Sequence, residues 1–266
     1  MDKTATKILF SFDKTVNSEE TLQAAVAIAR KSNSSLHYIL TEESASLGSG
    51  SEEDVVKDFK LKHGVQLEIS NFPGNFWKGL STAVEKLKAT FVVVGAIPAK
   101  AGLLGGGMSA KIDKLDCNML FLNPNTKWQT PVDLVVPVDS SSETRQKFSP
   151  ASHWAKLFYS NVTVLEVKKS DKGEDAKMSR VYAIQGNNYM VEKGLRTKVE
   201  DLGVTPDVVS AVLAHANNLR SKWITVMGNS EGMLRVSAIQ KICEEATCPL
   251  LVIPYREPIG LGGSGY

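Results

Sequence analysis

The sequence predicts an α/β protein made of two copies of one doubly wound, parallel-sheet unit. Three observations carry this expectation. Apolar, β-branched runs stopped by Gly or Pro alternate with helical stretches along most of the chain. The connections are short, as neighbouring βαβ units allow. The second half also repeats the first. The run ILFSFD at 8–13 returns as LVVPVD at 134–139, FVVVG at 91–95 as WITVMG at 223–228, and CNMLFLNP at 117–124 as CPLLVIP at 248–254.

Taken in order, Ile8 to Phe12 is a short apolar strand ending at Asp13. Ser18, Glu19 and Glu20 open a helix in which Leu22, Ala25, Val26 and Ala29 recur at helical spacing, and 33–35 ends it. Leu36 to Leu40 is the second strand. The Ser-, Gly- and acid-rich segment Glu42 to Glu53 is expected to be a mobile loop, followed by a helix near Glu53 to Leu61 and a weak strand at Gln66 to Ser70. Phe72-Pro73-Gly74 turns the chain into a helix from about Asn75 to Lys88, with Leu80, Val84 and Leu87 on one face. Phe91 to Val94 is a buried strand, because a continuous β-branched run suits a parallel sheet covered on both faces. A glycine-rich loop, a short helical segment and the strand Met119 to Leu122 complete the first copy.

Asn123 to Pro131, with two prolines, is a linker. The second copy has strands at Leu134 to Val138, Val162 to Val167 and Trp223 to Met227. Its helices are predicted at Glu143 to Tyr159 and Pro206 to Leu219, with a closing strand at Leu250 to Ile253. Its charged stretch from Lys168 to Gly203 breaks the pattern, and a helix is placed near Asn188 to Arg196. The domains are expected at 1–127 and 128–256, with a flexible tail at 257–266. Met119 to Leu122 and Leu250 to Ile253 fall at sheet edges, where exposed strands invite uncontrolled pairing. Each is expected to cover the other, so that the two domains pair within the chain.

Composition excludes several classes. At 266 residues, a formal net charge of +2 and no block of basic residues, the sequence holds no electrostatic signal for nucleic acid or for an anionic membrane surface. No apolar run is long enough to span a bilayer, and the N-terminal run is too short for a signal peptide. The three cysteines, Cys117, Cys243 and Cys248, contain no C-x-x-C pair, which argues for a reducing compartment and a cytoplasmic location. His37, His63, His153 and His215 share no metal-ligand spacing with one another or with the cysteines. No Walker pattern or Gly-x-Ser-x-Gly elbow occurs, and nothing assembles a catalytic set, so no enzyme activity is expected.

The stretch with chemical potential is Phe91 to Pro124. After the strand ending at Gly95, the loop carries Gly102, Gly105, Gly106 and Gly107 directly before Met108 and Ser109. Unpaired amides and a positive dipole at such a helix start favour an anion, and glycines let a ligand approach the backbone closely. A glycine-rich turn that merely connects strand to helix is the competing reading. In the second copy the loop is shorter: Ser237 lies nine residues after Gly228, whereas Ser109 lies fourteen after Gly95, and the loop carries Glu231, which would repel phosphate.

A strand ILFSFD, a second strand SLHYIL, a fourth strand VVVG and closing strands CNMLFLNP or CPLLVIP resemble the universal stress protein family in tandem two-domain form. The resemblance covers nearly the whole chain apart from Lys168 to Gly203 and the tail. It implies an adenine nucleotide alpha hydrolase-like fold with five parallel strands ordered 3-2-1-4-5 per domain. It also implies a crevice for ATP or a related adenine nucleotide between the first and fourth strands. ATP-binding members carry Gly-x-x-Gly, nine residues, then Gly-Ser or Gly-Thr. In register, Gly95 and Ser109 keep that spacing, while Pro98 and Met108 replace the second and third glycines. Pro98 has no amide to offer, and Met108 resists a positive φ. The resemblance places Phe12 and Asp13 at adenine and ribose and Tyr38 at the base, where it stacks or fills the pocket. It places Gly105, Gly106, Gly107 and Ser109 at the phosphates, with Lys100 and Lys111 as neighbouring cations.

Two function classes stay open: a stress-response regulator with an adenine nucleotide in the N-terminal domain alone, and a nucleotide-free signalling or scaffold protein. The second acts through an unknown protein partner, or as a homodimer of the kind family members form through the same edge strand.

Overall fold

In a computed structural model, the described residues are 7–13, 18–96, 107–115, 117–168, 170–219, 222–228 and 236–256. The first half runs β1 (Ile8–Phe12), α1 (Ser18–Ser32), β2 (Leu36–Leu40), α2 (Glu52–His63), β3 (Leu67–Asn71), α3 (Phe76–Leu87), β4 (Phe91–Gly95), α4 (Met108–Leu115) and β5 (Asn118–Leu122). The second begins with β6 (Asp133–Val138), a 3-10 turn at Ser142–Lys147, α5 (Phe148–Phe158) and β7 (Asn161–Lys168). It continues through α6 (Gly173–Glu192), β8 (Thr197–Val204), α7 (Val208–Asn217), β9 (Lys222–Met227), α8 (Val236–Glu245) and β10 (Leu250–Ile253).

All ten strands lie in one sheet ordered β3-β2-β1-β4-β5-β10-β9-β6-β7-β8, so each half carries the order 3-2-1-4-5 as the sequence predicts. Pairing is parallel within each half and antiparallel where they meet, with Leu250 opposite Phe121, Leu251 opposite Leu120 and Val252 opposite Met119. The two edge strands therefore do cover each other. Each face of the sheet carries one continuous core shared by both halves. α3, α4, α7 and α8 cover one face, and α1, α2, α5 and α6 the other.

Two expectations are corrected, and two connecting segments are found anchored. The helix expected at Asn188 to Arg196 is instead α6, ending at Glu192, followed by the edge strand β8. Gly186 interrupts the helical pattern because the Phe148 ring of α5 packs on its backbone: a Cβ there would stand 2.8 Å from the ring. The single helix expected from Glu143 to Tyr159 is split, since Pro150 has no N–H to donate to the preceding turn. Asn123 to Pro131 connects the halves but is fastened to both. Asn123 Nδ2 donates to the carbonyls of Cys243 (2.7 Å) and Ala246 (2.8 Å) at the end of α8, and the Trp128 amide donates to Glu20 of α1 at 2.6 Å. The loop expected to be mobile from Glu42 lies against β1 through Ser44 and Ala45. The 257–266 tail lies outside the described residues.

An aromatic cluster fills the junction on the α5 face. Phe91 stands 4.1 Å from Trp154, and Trp223 contacts Trp128, Trp154 and Phe158 at 5.9, 6.1 and 5.2 Å between ring centroids.

Candidate functional site

In the first half the strand order reverses between β1 and β4, and open α/β sheets hold ligands in the crevice at the carboxyl ends of such strands. Phe12 pairs with Gly95 there, and the Asp13 amide donates to the Gly95 carbonyl at 2.8 Å. Three of the expected residues thus converge. Gly95 is glycine for a packing reason: a Cβ would stand 2.0 Å from Thr21 Oγ1 and 3.0 Å from Thr21 Cβ on α1. The strand end and the helix approach too closely for any side chain. Asp13 also bridges to Ser44, and the Ala45 amide donates to the Phe12 carbonyl at 3.2 Å. The β2–α2 loop therefore folds over the end of β1.

Tyr38, expected at the base, is a core residue of β2. Its ring is fully buried between Phe10 (4.8 Å) and Phe12 (5.2 Å), and its hydroxyl donates to the Ala45 carbonyl. Burial raises its phenol well above the ordinary value near 10, so the hydroxyl stays a donor. A cavity of about 190 Å³ lies beside it, lined chiefly by Leu40, Leu47, Val55 and Ile69.

The start of α4 is turned to the second half. The Met108 amide donates to Gln240 Oε1 of α8 at 3.1 Å, and the buried Ser109 hydroxyl donates to the Gly228 carbonyl at 2.8 Å. Of the groups expected to meet phosphate, the Ser109 hydroxyl is engaged by the second half, as is the Met108 amide beside it. Gly107 is buried, whereas Gly105 and Gly106, with Pro98, Lys100 and Gly102, lie outside the described residues. Lys111 lines a groove of about 280 Å³ with Trp77, Lys78 and Lys114.

The equivalent end of the second half is filled by its own polar groups. Asp139, closing β6, accepts from the Ser141 amide (3.1 Å) and hydroxyl (2.6 Å). Lys147 is fully buried, its ammonium donating to the Pro137 carbonyl. Burial pulls its pKa down to about 8, with nearby Asp139 opposing the shift. Buried Glu166 takes Arg180 at 3.0 Å, and Lys168 reaches Asp201 at 2.7 Å and Asp171 at 3.1 Å. Glu231 lies outside the described residues.

The chain matches no family model, and no curated protein aligns with it. Solved structures do match. A universal stress protein from Archaeoglobus fulgidus DSM 4304 superposes over 93% of this chain and 98% of its own, with a TM-score of 0.63 and 11% identity. A protein of unknown function from Pseudomonas aeruginosa PAO1 covers 94% and 93%, with a TM-score of 0.57 and 14% identity. The fold is that of the universal stress proteins. A further universal stress protein structure from A. fulgidus, solved in complex with dAMP, covers 47% of this chain at a TM-score of 0.40 and 16% identity.

Within this universal stress protein fold, the sequence and its family resemblance pointed to the β1–β4 switch point but missed the partners of α4, Gln240 and Gly228, and missed Lys147. Lys147 falls on the same helical stripe as Thr144, Phe148 and Ala151, which is the signal that it faces inward. The structure also joins His37 Nε2 to Ser70 Oγ at 2.7 Å, with Glu68 3.4 Å from Nδ1. This satisfies a half-buried imidazole whose pKa burial lowers. Among the described residues no three His, Cys, Asp or Glu side chains gather as a metal site, and no helix is long and apolar enough to cross a membrane.

Proposed function

We propose that this protein is a stress-response regulator of the universal stress protein type that works through protein contacts, with no bound nucleotide and no catalysis. The observation that carries this reading is the engagement of the α4 start by the second half. Ser109 Oγ donates to Gly228 and the Met108 amide donates to Gln240. A phosphate at this helix start would have to break one buried and one part-buried hydrogen bond, leaving the buried Gly228 carbonyl unpaired at a cost of about 1–3 kcal/mol. The buried Tyr38 ring, standing where the base was expected, supports the same reading. The units 1–127 and 128–256 act as one body, in the cytoplasm.

A second reading is favoured by the convergence of Phe12, Asp13 and Gly95 at the switch point. It keeps ATP or a related adenine nucleotide in the first half, with Gly105, Gly106, Gly107 and Ser109 at its phosphates. The readings separate by calorimetry with ATP on wild type and on Ser109→Ala. The proposed function expects wild type and Ser109→Ala to respond to ATP alike. Micromolar binding by wild type that Ser109→Ala weakens would establish the second reading.

A further inference from the structure

Beneath the junction of the two halves, at the amino ends of β1, β4 and β5, lies a cleft of about 800 Å³. Both halves build it. Lys7 comes from the start of β1, Lys31 from the last turn of α1, Lys88 from the left-handed residue that ends α3, and His153 from α5 across the junction. Thr90 and Asn118 add polar groups to the wall. Among the described residues no carboxylate lines the cleft and none of the three lysines has an ion pair. Lys31 lies 5.3 Å from the Tyr159 ring, a contact that leaves its charge uncompensated.

From this cleft we infer a binding site for a small polyanion, an oligophosphate or a compound carrying two or more phosphate groups. Three ammonium groups in one concavity repel one another. A concave wall of one sign also focuses the field and concentrates counter-ions. The volume falls in the range of small-ligand sites. The Phe91 and Trp154 side chains at its back are buried, so they offer no open face for stacking a base. The recognition on offer is therefore charge and hydrogen bonding to phosphate oxygens. Two of the lysines sit at helix C-termini, where a cation also complements the dipole. That effect does not account for Lys7 or His153. The site is separate from the β1–β4 crevice, and it stands whether or not the crevice holds a nucleotide.

The test uses the full chain and titrates sodium tripolyphosphate by calorimetry and by thermal shift, at ionic strength held constant with NaCl. Saturable binding and a rise in Tm are expected. Lys31→Gln/Lys88→Gln is expected to weaken binding about tenfold or more, since it removes two of the three ammonium groups that face the cleft. Lys60→Gln/Lys62→Gln on α2 is expected to leave it unchanged. Lys7→Gln alone, a milder change, is expected to weaken binding with a Tm equal to wild type in phosphate-free buffer. ATP binding as tightly as tripolyphosphate, with both lost together in the Lys31/Lys88 variant, would place the triphosphate here, whereas ATP binding that survives that variant belongs to the crevice. No saturable binding by wild type, or equal affinity in the Lys31/Lys88 variant, would overturn the inference. So would an oligoglutamate peptide or a short DNA duplex binding more than tenfold tighter than tripolyphosphate.

Discussion

Gly95 shows how one position serves packing where a motif reading suggests ligand contact. A methyl group would meet Thr21, a buried β-branched residue with little room to turn, so Gly95→Ala is expected to lose about 1–3 kcal/mol in chemical denaturation. An unchanged midpoint would contradict this account of the residue. Lys147 provides a second test through pH. Its ordinary pKa of 10.5 falls to about 8 in the folded protein. Between those values the unfolded chain holds a proton that the native state has released, so stability rises with pH there, and the full cost of burying the charge is felt below about 8. From pH 8 to 9.5, short of tyrosine ionisation, wild type is expected to gain up to about 2 kcal/mol relative to Lys147→Met, from roughly 1.4 kcal/mol per pH unit. Parallel stability profiles for the two proteins would contradict it.

At the scale of elements, the strands were the most legible part of the sequence. Parallel strands buried on both faces read as plain apolar runs, and both copies kept Gly95 or Gly228 and the closing prolines. α6 was hidden because Gly186, Asn187 and Asn188 are poor helix formers, and the reason for the glycine, the Phe148 ring, lies on another element. The β1–β4 switch point followed from the strand order that the family resemblance implies, not from a local pattern. The engagement of Ser109 was not legible, because its partner, Gly228, is distant in sequence and no local spacing signals a contact across the junction. The connection between the halves belongs to this scale too. Asn123 satisfies carbonyls at the end of α8, a capping role supplied by a residue of the other half. Asn123→Ala is expected to destabilise the protein by about 1–3 kcal/mol by leaving those buried carbonyls unpaired. A loss below about 0.5 kcal/mol in urea unfolding would show that water replaces the amide.

For the whole molecule, β5 pairs with β10, both cores run through both halves, and three of the four tryptophans gather at the junction. The chain is therefore expected to unfold in one step. Tryptophan fluorescence, which reports the junction, and far-ultraviolet circular dichroism, which reports both halves, should give coincident urea transitions. Separated transitions would mean that the halves hold together only loosely. Residues 1–127 alone would expose β5 and are expected to self-associate through it, visible as a dimer in light scattering. The central claim is that the start of α4 is engaged by the second half rather than by a nucleotide. It is tested most directly by denaturing the purified full chain and analysing the released small molecules by mass spectrometry. The account predicts that the Lys31→Gln/Lys88→Gln chain releases no adenine nucleotide, even after purification in the presence of ATP. An adenine nucleotide released in proportion to protein and still released by Lys31→Gln/Lys88→Gln would contradict it.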